Sequence, residues 1–229
     1  MKKNPKYDAV IFDMDGLMFN TEELYYRTFN DTLDHYGASL TRPPYTVCVG
    51  HPVEDNSRYA VEHYQLDTTP ETFCKTWMDR FDRAISDPEQ IEMMPGFQDL
   101  LRHVRRRGYR LGIATSTQRP RMMVTLKNGL LAHLNEPRDL SDIFDVVLSG
   151  SDVTQTKPAP DIYLLAAERL RVPPARCLVF EDSESGVRAA KAAGMTVIAV
   201  PNVFTAHQDH SAADVRLTCL ADAVKDGYL

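Results

Sequence analysis

The sequence predicts an α/β fold: a parallel sheet covered by helices, with a helical module inserted after the first strand. Three observations predict it. Short apolar runs of four to six residues alternate with amphipathic segments along most of the chain. The apolar runs end in small or polar residues, as buried parallel strands do. Residues 20–92 break the rhythm, with Tyr- and Phe-rich helical patterns and no buried strand pattern.

The strand candidates are "YDAVIFD", "YRLGIAT", "FDVVLSG", "RCLVFED" and "MTVIAV". Between them, "PGFQDLLRHVRRRG" reads as a helix from Pro95 to a stop at Gly108. "APDIYLLAAERLRV" and "ESGVRAAKAAG" are the other amphipathic helices, the latter closed by Gly194. In the insert, "TEELYYRTFNDTLDHYG" and "PETFCKTWMDRFDRAI" carry helical spacing. The expected division is therefore a core of residues 1–19 and 93–229 and a cap of residues 20–92. "MMPG", residues 93–96, forms the return linker. The stretch "LLAHLNEPRDLSDIFD" reads as a long connection without a function.

The 229 residues carry a net charge of −6, with 43% hydrophobic and 25% charged residues. That allows one sizeable core and disfavours nucleic acid as a partner, which calls for a basic face. The basic run "RHVRRRGYR" fits the last turn of a helix, where cations meet the negative dipole end. Four cysteines without C-x-x-C spacing point to reduced, mostly buried thiols and a cytoplasmic protein. No apolar run approaches the ~20 residues of a membrane span.

Four strand ends hold the chemistry. The first ends in Asp13-x-Asp15-Gly16, the second in Thr115-Ser116-Thr117, the fourth in Glu181-Asp182-Ser183, and Lys157 precedes the helix after the third. In such a sheet these groups converge at the carboxyl edge. Strand alternation points Asp13 and Asp15 to one side. One carboxylate can attack phosphorus and the other can handle the leaving group's proton. Gly16 lets the chain turn close to a phosphate. The Thr115 hydroxyl and the Lys157 ammonium can bind non-bridging oxygens. Clustered carboxylates suit a hard cation such as Mg²⁺. Each element alone has a plainer reading: a turn, a surface lysine, a helix cap. Their joint occurrence at successive strand ends does not.

"DMDGL", "ATST", "KPAPDIY" and "FEDSESGVRAAKAAGM" resemble, in this order, the four motifs of the haloacid dehalogenase superfamily of phosphotransferases. The resemblance spans essentially the whole chain. It implies a Rossmann-like core with a helical cap, in the branch of beta-phosphoglucomutase and pseudouridine-5'-phosphatase. It implies Asp13 as nucleophile and Mg²⁺ ligand, and Asp15 as general acid/base whose carbonyl also binds the metal. Thr115, Ser116 and Lys157 would bind the phosphoryl group, Asp182 the metal, and Glu181 the metal directly or through a neighbour. Asn20 departs from the usual Asp and removes a charge near the hinge. The Asp15 position separates the chain from dehalogenases, which lack that aspartate, and from ion-pumping ATPases, which place threonine there.

The expected function is Mg²⁺-dependent hydrolysis of a small phosphorylated metabolite by a monomeric enzyme, with no nucleic-acid or membrane partner. The alternatives are a sugar phosphomutase or a phosphate-binding protein without turnover. The cap loop "VCVGHPVED" is expected to face substrate, with Gly50, His51 and Pro52 over the site. Against the mutase, the mutase's histidine and arginine positions align here with Tyr25 and Val53, and Arg58 is the arginine able to stand in.

Overall fold

The computed structural model describes residues 6–39, 45, 48–134 and 139–229. Its centre is a six-stranded, all-parallel sheet in the order β3-β2-β1-β4-β5-β6. The strands are β1 (Ala9–Phe12), β2 (Arg110–Ala114), β3 (Val146–Leu148), β4 (Cys177–Glu181), β5 (Thr196–Ala199) and β6 (Val215–Arg216). Five match the expected runs. The sixth is a two-residue edge strand with a charged member, too short to leave an apolar pattern.

All four residues of β1 are buried, because the strand lies between β2 and β4 and under helices on both faces. Its side chains alternate. Val10 and Phe12 join a cluster with Phe97, Leu100 and Val104 of α4 (Phe97–Arg107). Phe12 stacks on Phe180 and meets Phe97 edge-on, both at 5.5 Å between centroids. Ala9 and Ile11 join the opposite cluster, with Ile162 and Ala166 of α6 (Asp161–Leu170) and Val187 and Ala190 of α7 (Glu184–Ala192). Burying each large apolar side chain stabilises by about 1.5–3 kcal/mol. The other core helices are α5 (Arg119–Leu126), which continues into a π-helical turn (Lys127–Leu131), and the short α8 (Asp222–Lys225).

Between β1 and α4 lie α1 (Thr21–His35), α2 (Val53–His63) and α3 (Pro70–Ile85), and no strand among the described residues. Thr69 caps α3 by accepting from Thr72 N at 3.2 Å, with Pro70 at the first helical position. Trp77 packs edge-on against Phe29 at 4.8 Å and Tyr25 at 6.0 Å, and its indole donates to Thr28 Oγ1 at 3.2 Å. Helix α2 had no sequence expectation. It claims Val53–Asp55 from the loop expected to face substrate.

The outgoing and returning chains pair with each other. Asn20 N donates to Glu92 O and Met94 N to Met18 O, both at 2.9 Å, in an antiparallel bridge at Phe19 and Met93. The basic run ends α4 as expected, with Gly108 in the left-handed region at φ 75°. All four cysteines are free, and burial pushes the Cys48 and Cys177 thiols up to about 11. No helix among the described residues is long and apolar enough to cross a membrane.

Candidate active site

Sheet register brings the polar strand ends level. Phe12 pairs with Ile113 and with Phe180, so Asp13 stands beside Ala114 and Glu181. The ladder runs one residue further: Asp13 N donates to Phe180 O at 3.0 Å and Thr115 N to Leu148 O at 3.1 Å.

Lys157 is the hub of this edge. Its ammonium donates to Asp13 Oδ1, to Glu181 Oε1 at 2.6 Å and to Ala114 O at 2.8 Å. Three donors meet three acceptors, so the group is fully satisfied. Burial works against its charge, but the Asp13 and Glu181 carboxylates outweigh burial and hold its pKa above the ordinary lysine value. Glu181 is fully buried, and a buried carboxylate needs every lone pair engaged. Tyr163 Oη donates to its Oε1 at 2.6 Å. Asp182 N, Ser183 N and Ser183 Oγ surround Oε2 at 3.2–3.3 Å. Glu181 Oε1 therefore holds the Lys157 ammonium, while its carboxylate stays grouped with Asp13 and Asp182. Gly186 leaves room for it, since a Cβ there would lie 1.8 Å from Oε1.

Asp15 is held by three hydroxyls. Thr21 Oγ1 donates to Oδ1 at 2.8 Å, and Thr115 Oγ1 and Thr117 Oγ1 donate to Oδ2 at 3.1 and 2.7 Å. Thr115 thus reaches Asp15, and the second hydroxyl there belongs to Thr117. Ser116 is exposed. Gly16 turns the chain at φ 74°, where a Cβ would lie 2.4 Å from Asp182 Oδ2. Asp182 Oδ2 accepts from Asn202 Nδ2 at 2.8 Å and Thr205 Oγ1 at 3.3 Å.

Asp13, Glu181 and Asp182 bring carboxylate oxygens within 4.8 Å of one another. Burial pushes both Asp13 and Asp182 well above the ordinary carboxylate range, opposed by Lys157. Three carboxylates facing one ammonium leave two negative charges in excess, which is the charge and the all-oxygen donor set that a divalent cation fits.

His51 is exposed, and only its backbone forms hydrogen bonds among the described residues: N to Cys48 O at 3.3 Å, and O from Asn56 Nδ2 at 3.4 Å. The neighbouring Gly50 does approach the core, with its Cβ position 3.7 Å from Gln208 Nε2. Asn20 lines a groove of about 600 Å³ with Gly16, Glu92, Met93 and Asn202. Glu22, in the first turn of α1, carries no expectation from the sequence. Burial, and then the Asp15 charge, push its carboxyl up to about 7, and its own charge is felt at Asp182.

Residues 10–200 match the haloacid dehalogenase-like hydrolase family. The chain is 37% identical over 224 residues to a probable pseudouridine-5'-phosphatase of Drosophila melanogaster, covering 95% of this chain and 91% of that protein. It is 35% identical over 188 residues to a phosphorylated carbohydrates phosphatase of Thermotoga maritima, covering 82% of each. The solved structure of CbbY from Rhodobacter sphaeroides in complex with phosphate superposes with a TM-score of 0.76 at 33% identity, covering 95% of this chain and 96% of that one. The matched span takes in Asp13, Asp15, Lys157, Glu181 and Asp182, so the chain belongs to the haloacid dehalogenase-like hydrolases and, within them, to the phosphoric monoester hydrolases.

Proposed function

We propose that this protein is a Mg²⁺-dependent phosphatase that hydrolyses a small phosphorylated metabolite, of the sugar or nucleoside phosphate class, through an aspartyl phosphate. The observation that carries this reading is Asp13: a carboxylate at the end of the central strand, fixed by a buried ammonium and flanked by Asp182. Asp13 attacks phosphorus. Asp15, aimed by its three hydroxyls, gives a proton to the leaving oxygen and then takes one from the water that hydrolyses the phosphoenzyme. Lys157 supplies charge to the non-bridging oxygens, with Thr115, Ser116 and the turn at Gly16 beside it. Asp13, Asp182 and the Asp15 carbonyl would hold the Mg²⁺, with Glu181 behind Lys157. When bound, the ion offsets the negative charge of the carboxylates and the phosphoryl group.

In this reading residues 20–92 form a cap over a monomeric core, hinged near 19–21 and 93–96. Closure excludes bulk water and strengthens the site's electrostatics. The paired chains at Phe19 and Met93 are a compact place for such a hinge.

The geometry favours hydrolysis over mutase chemistry. Tyr25 stacks on Phe81 at 3.8 Å, and burial lifts its phenol well above its ordinary value. It is no proton-linked switch near neutral pH. Val53 is apolar and sits at the first position of α2. Arg58 is exposed and ion-paired with Asp55 at 3.1 Å. A protein that only bound phosphate would have no use for three hydroxyls aimed at Asp15.

The test is phosphate release from a panel of sugar phosphates and nucleoside monophosphates, with Mg²⁺ and with excess chelator. Turnover restored by Mg²⁺ is expected. No turnover across the panel, or full activity in chelator, would sink the reading. β-Glucose 1-phosphate with a trace of the bisphosphate, followed by phosphorus NMR, should yield free phosphate faster than glucose 6-phosphate.

A further inference from the structure

The loop after β5 reaches into the site from outside the four sequence motifs. Asn202 Nδ2 donates to Gly16 O at 3.0 Å and to Asp182 Oδ2 at 2.8 Å. Its Oδ1 accepts from Phe204 N at 2.8 Å and Thr205 N at 3.2 Å. A side-chain amide has two N–H donors and two acceptor sites, and all four are used. The orientation is fixed, since the flipped amide would set oxygen against oxygen at both Gly16 and Asp182. Thr205 Oγ1 is the second donor to Asp182 Oδ2, at 3.3 Å, and itself accepts from Asn202 N at 3.1 Å. Asp182 Oδ2 is thereby committed to the protein, while Oδ1 has no hydrogen-bond partner among the described residues. The same loop carries buried Phe204, whose ring lies 6.1 Å from Tyr26 and 6.0 Å from Tyr45.

We propose that Asn202, seconded by Thr205, is a positioning residue of the metal site. It holds Asp182 by Oδ2 so that Oδ1 is the oxygen presented to the cation, and it ties that carboxylate to the turn that follows Asp15. Three segments meet at this one amide: the turn after β1, the end of β4 and the loop after β5. A carboxylate bound only by its backbone turns about two side-chain torsions. One clamped by two donors arrives already oriented, and loss of such an outer partner typically weakens a metal site about 10–100-fold.

The inference rests on the metal-dependent phosphatase reading, and its test reads metal binding without turnover. Mg²⁺ is titrated calorimetrically into substrate-free protein stripped with chelator: wild type, Asn202→Ala, Thr205→Val and Thr205→Ser. Near-ultraviolet circular dichroism checks the fold of each. Asn202→Ala is expected to weaken Mg²⁺ binding about tenfold or more with the spectrum unchanged. Thr205→Val should weaken it less, and Thr205→Ser, which keeps the hydroxyl, should restore it. Wild-type affinity in Asn202→Ala overturns the proposal. Should that variant fail to fold, wild-type affinity in Thr205→Val overturns it. A wild type that binds no Mg²⁺ overturns both this inference and the metal role itself. Failure in the variants alone leaves the phosphatase reading standing.

Discussion

The carboxylates of the sheet edge and the one the cap turns toward them are treated in opposite ways. Glu181 accepts from five donors, Asp15 from three hydroxyls, and Asp182 Oδ2 from two side chains. Glu22, in the first turn of α1, has no hydrogen-bond partner among the described residues and feels the like charge of Asp15. The cap instead spends its order on aromatic packing around Trp77. The core edge is therefore organised before substrate arrives, which is where catalysis gains most from fixed groups. The cap side offers the half-buried Glu22 carboxyl, which has no hydrogen-bond partner among the described residues.

The largest effect that would break this contrast is at the core. Asp13→Asn keeps the shape and removes the carboxylate proposed as nucleophile, so turnover should fall on the order of 10⁴-fold or more. The fold should persist, because the change also removes one of three buried carboxylates. Steady-state rates and a thermal melt check both halves. Activity near wild type would end the role given to Asp13. Next comes Lys157→Met. It strips Asp13 and Glu181 of their shared cation at a site where the lysine side chain is 4% exposed. Removing one partner of a buried pair costs about 3–5 kcal/mol, read from denaturant unfolding in chelator. A loss below about 1 kcal/mol would mean that the hub does not organise the edge.

The same contrast explains what the sequence made legible. β1 announces itself because both faces are buried, so four apolar residues run unbroken into Asp13. Lys157 could be placed because it stands just before an amphipathic helix. Tyr163 and Asn202 could not, since each acts through a contact between residues 18 and 186 positions apart. Short-range patterns carry no trace of such pairs. Thr21 and Thr205 were hidden, and Thr117 was named at its strand end without a role, for a related reason: a threonine is ordinary at strand ends and helix starts, and only its partner gives it meaning. Helix α2 escaped notice because three of its eleven residues are buried and its start lacks a side-chain cap.

A smaller effect sharpens the cap side. Glu22 rises from 4.5 to about 7 in the folded chain. Below pH 4.5 it is protonated in both states and costs nothing. As pH rises to 7 the unfolded chain releases the proton while the folded chain holds it, so stability falls, by at most about 3 kcal/mol, and is level above. Glu22→Gln should flatten this decline in chelator and stabilise the protein at pH 8. Asp13 and Asp182, shifted in the same direction, leave a residual slope. An unchanged profile would mean that Glu22 is solvated as an ordinary surface carboxylate.

The smallest effect bears on whether the two regions move apart. Arg121 of α5 forks onto Asp82 of α3, Nε to Oδ1 at 2.6 Å and Nη2 to Oδ2 at 3.1 Å. This is a two-bond ion pair between the core and the helices of residues 20–92. The geometry is good, but the side chains are 32% and 47% exposed. Water and salt therefore screen the pair, and measured pairs of this kind contribute about 0.2–1 kcal/mol. A hinged cap needs this outcome, since every bond across the interface must break on opening. A double-mutant cycle of Arg121→Ala and Asp82→Ala should give a coupling of about 0.5–1 kcal/mol that fades in 1 M salt. A coupling of about 3 kcal/mol, indifferent to salt, would show a desolvated bond that fastens the helices to the core. Opening near residues 19–21 and 93–96 would then be too rare to admit substrate. The division of labour between a fixed edge and a moving cap would have to give way to a single rigid body with a preformed entrance.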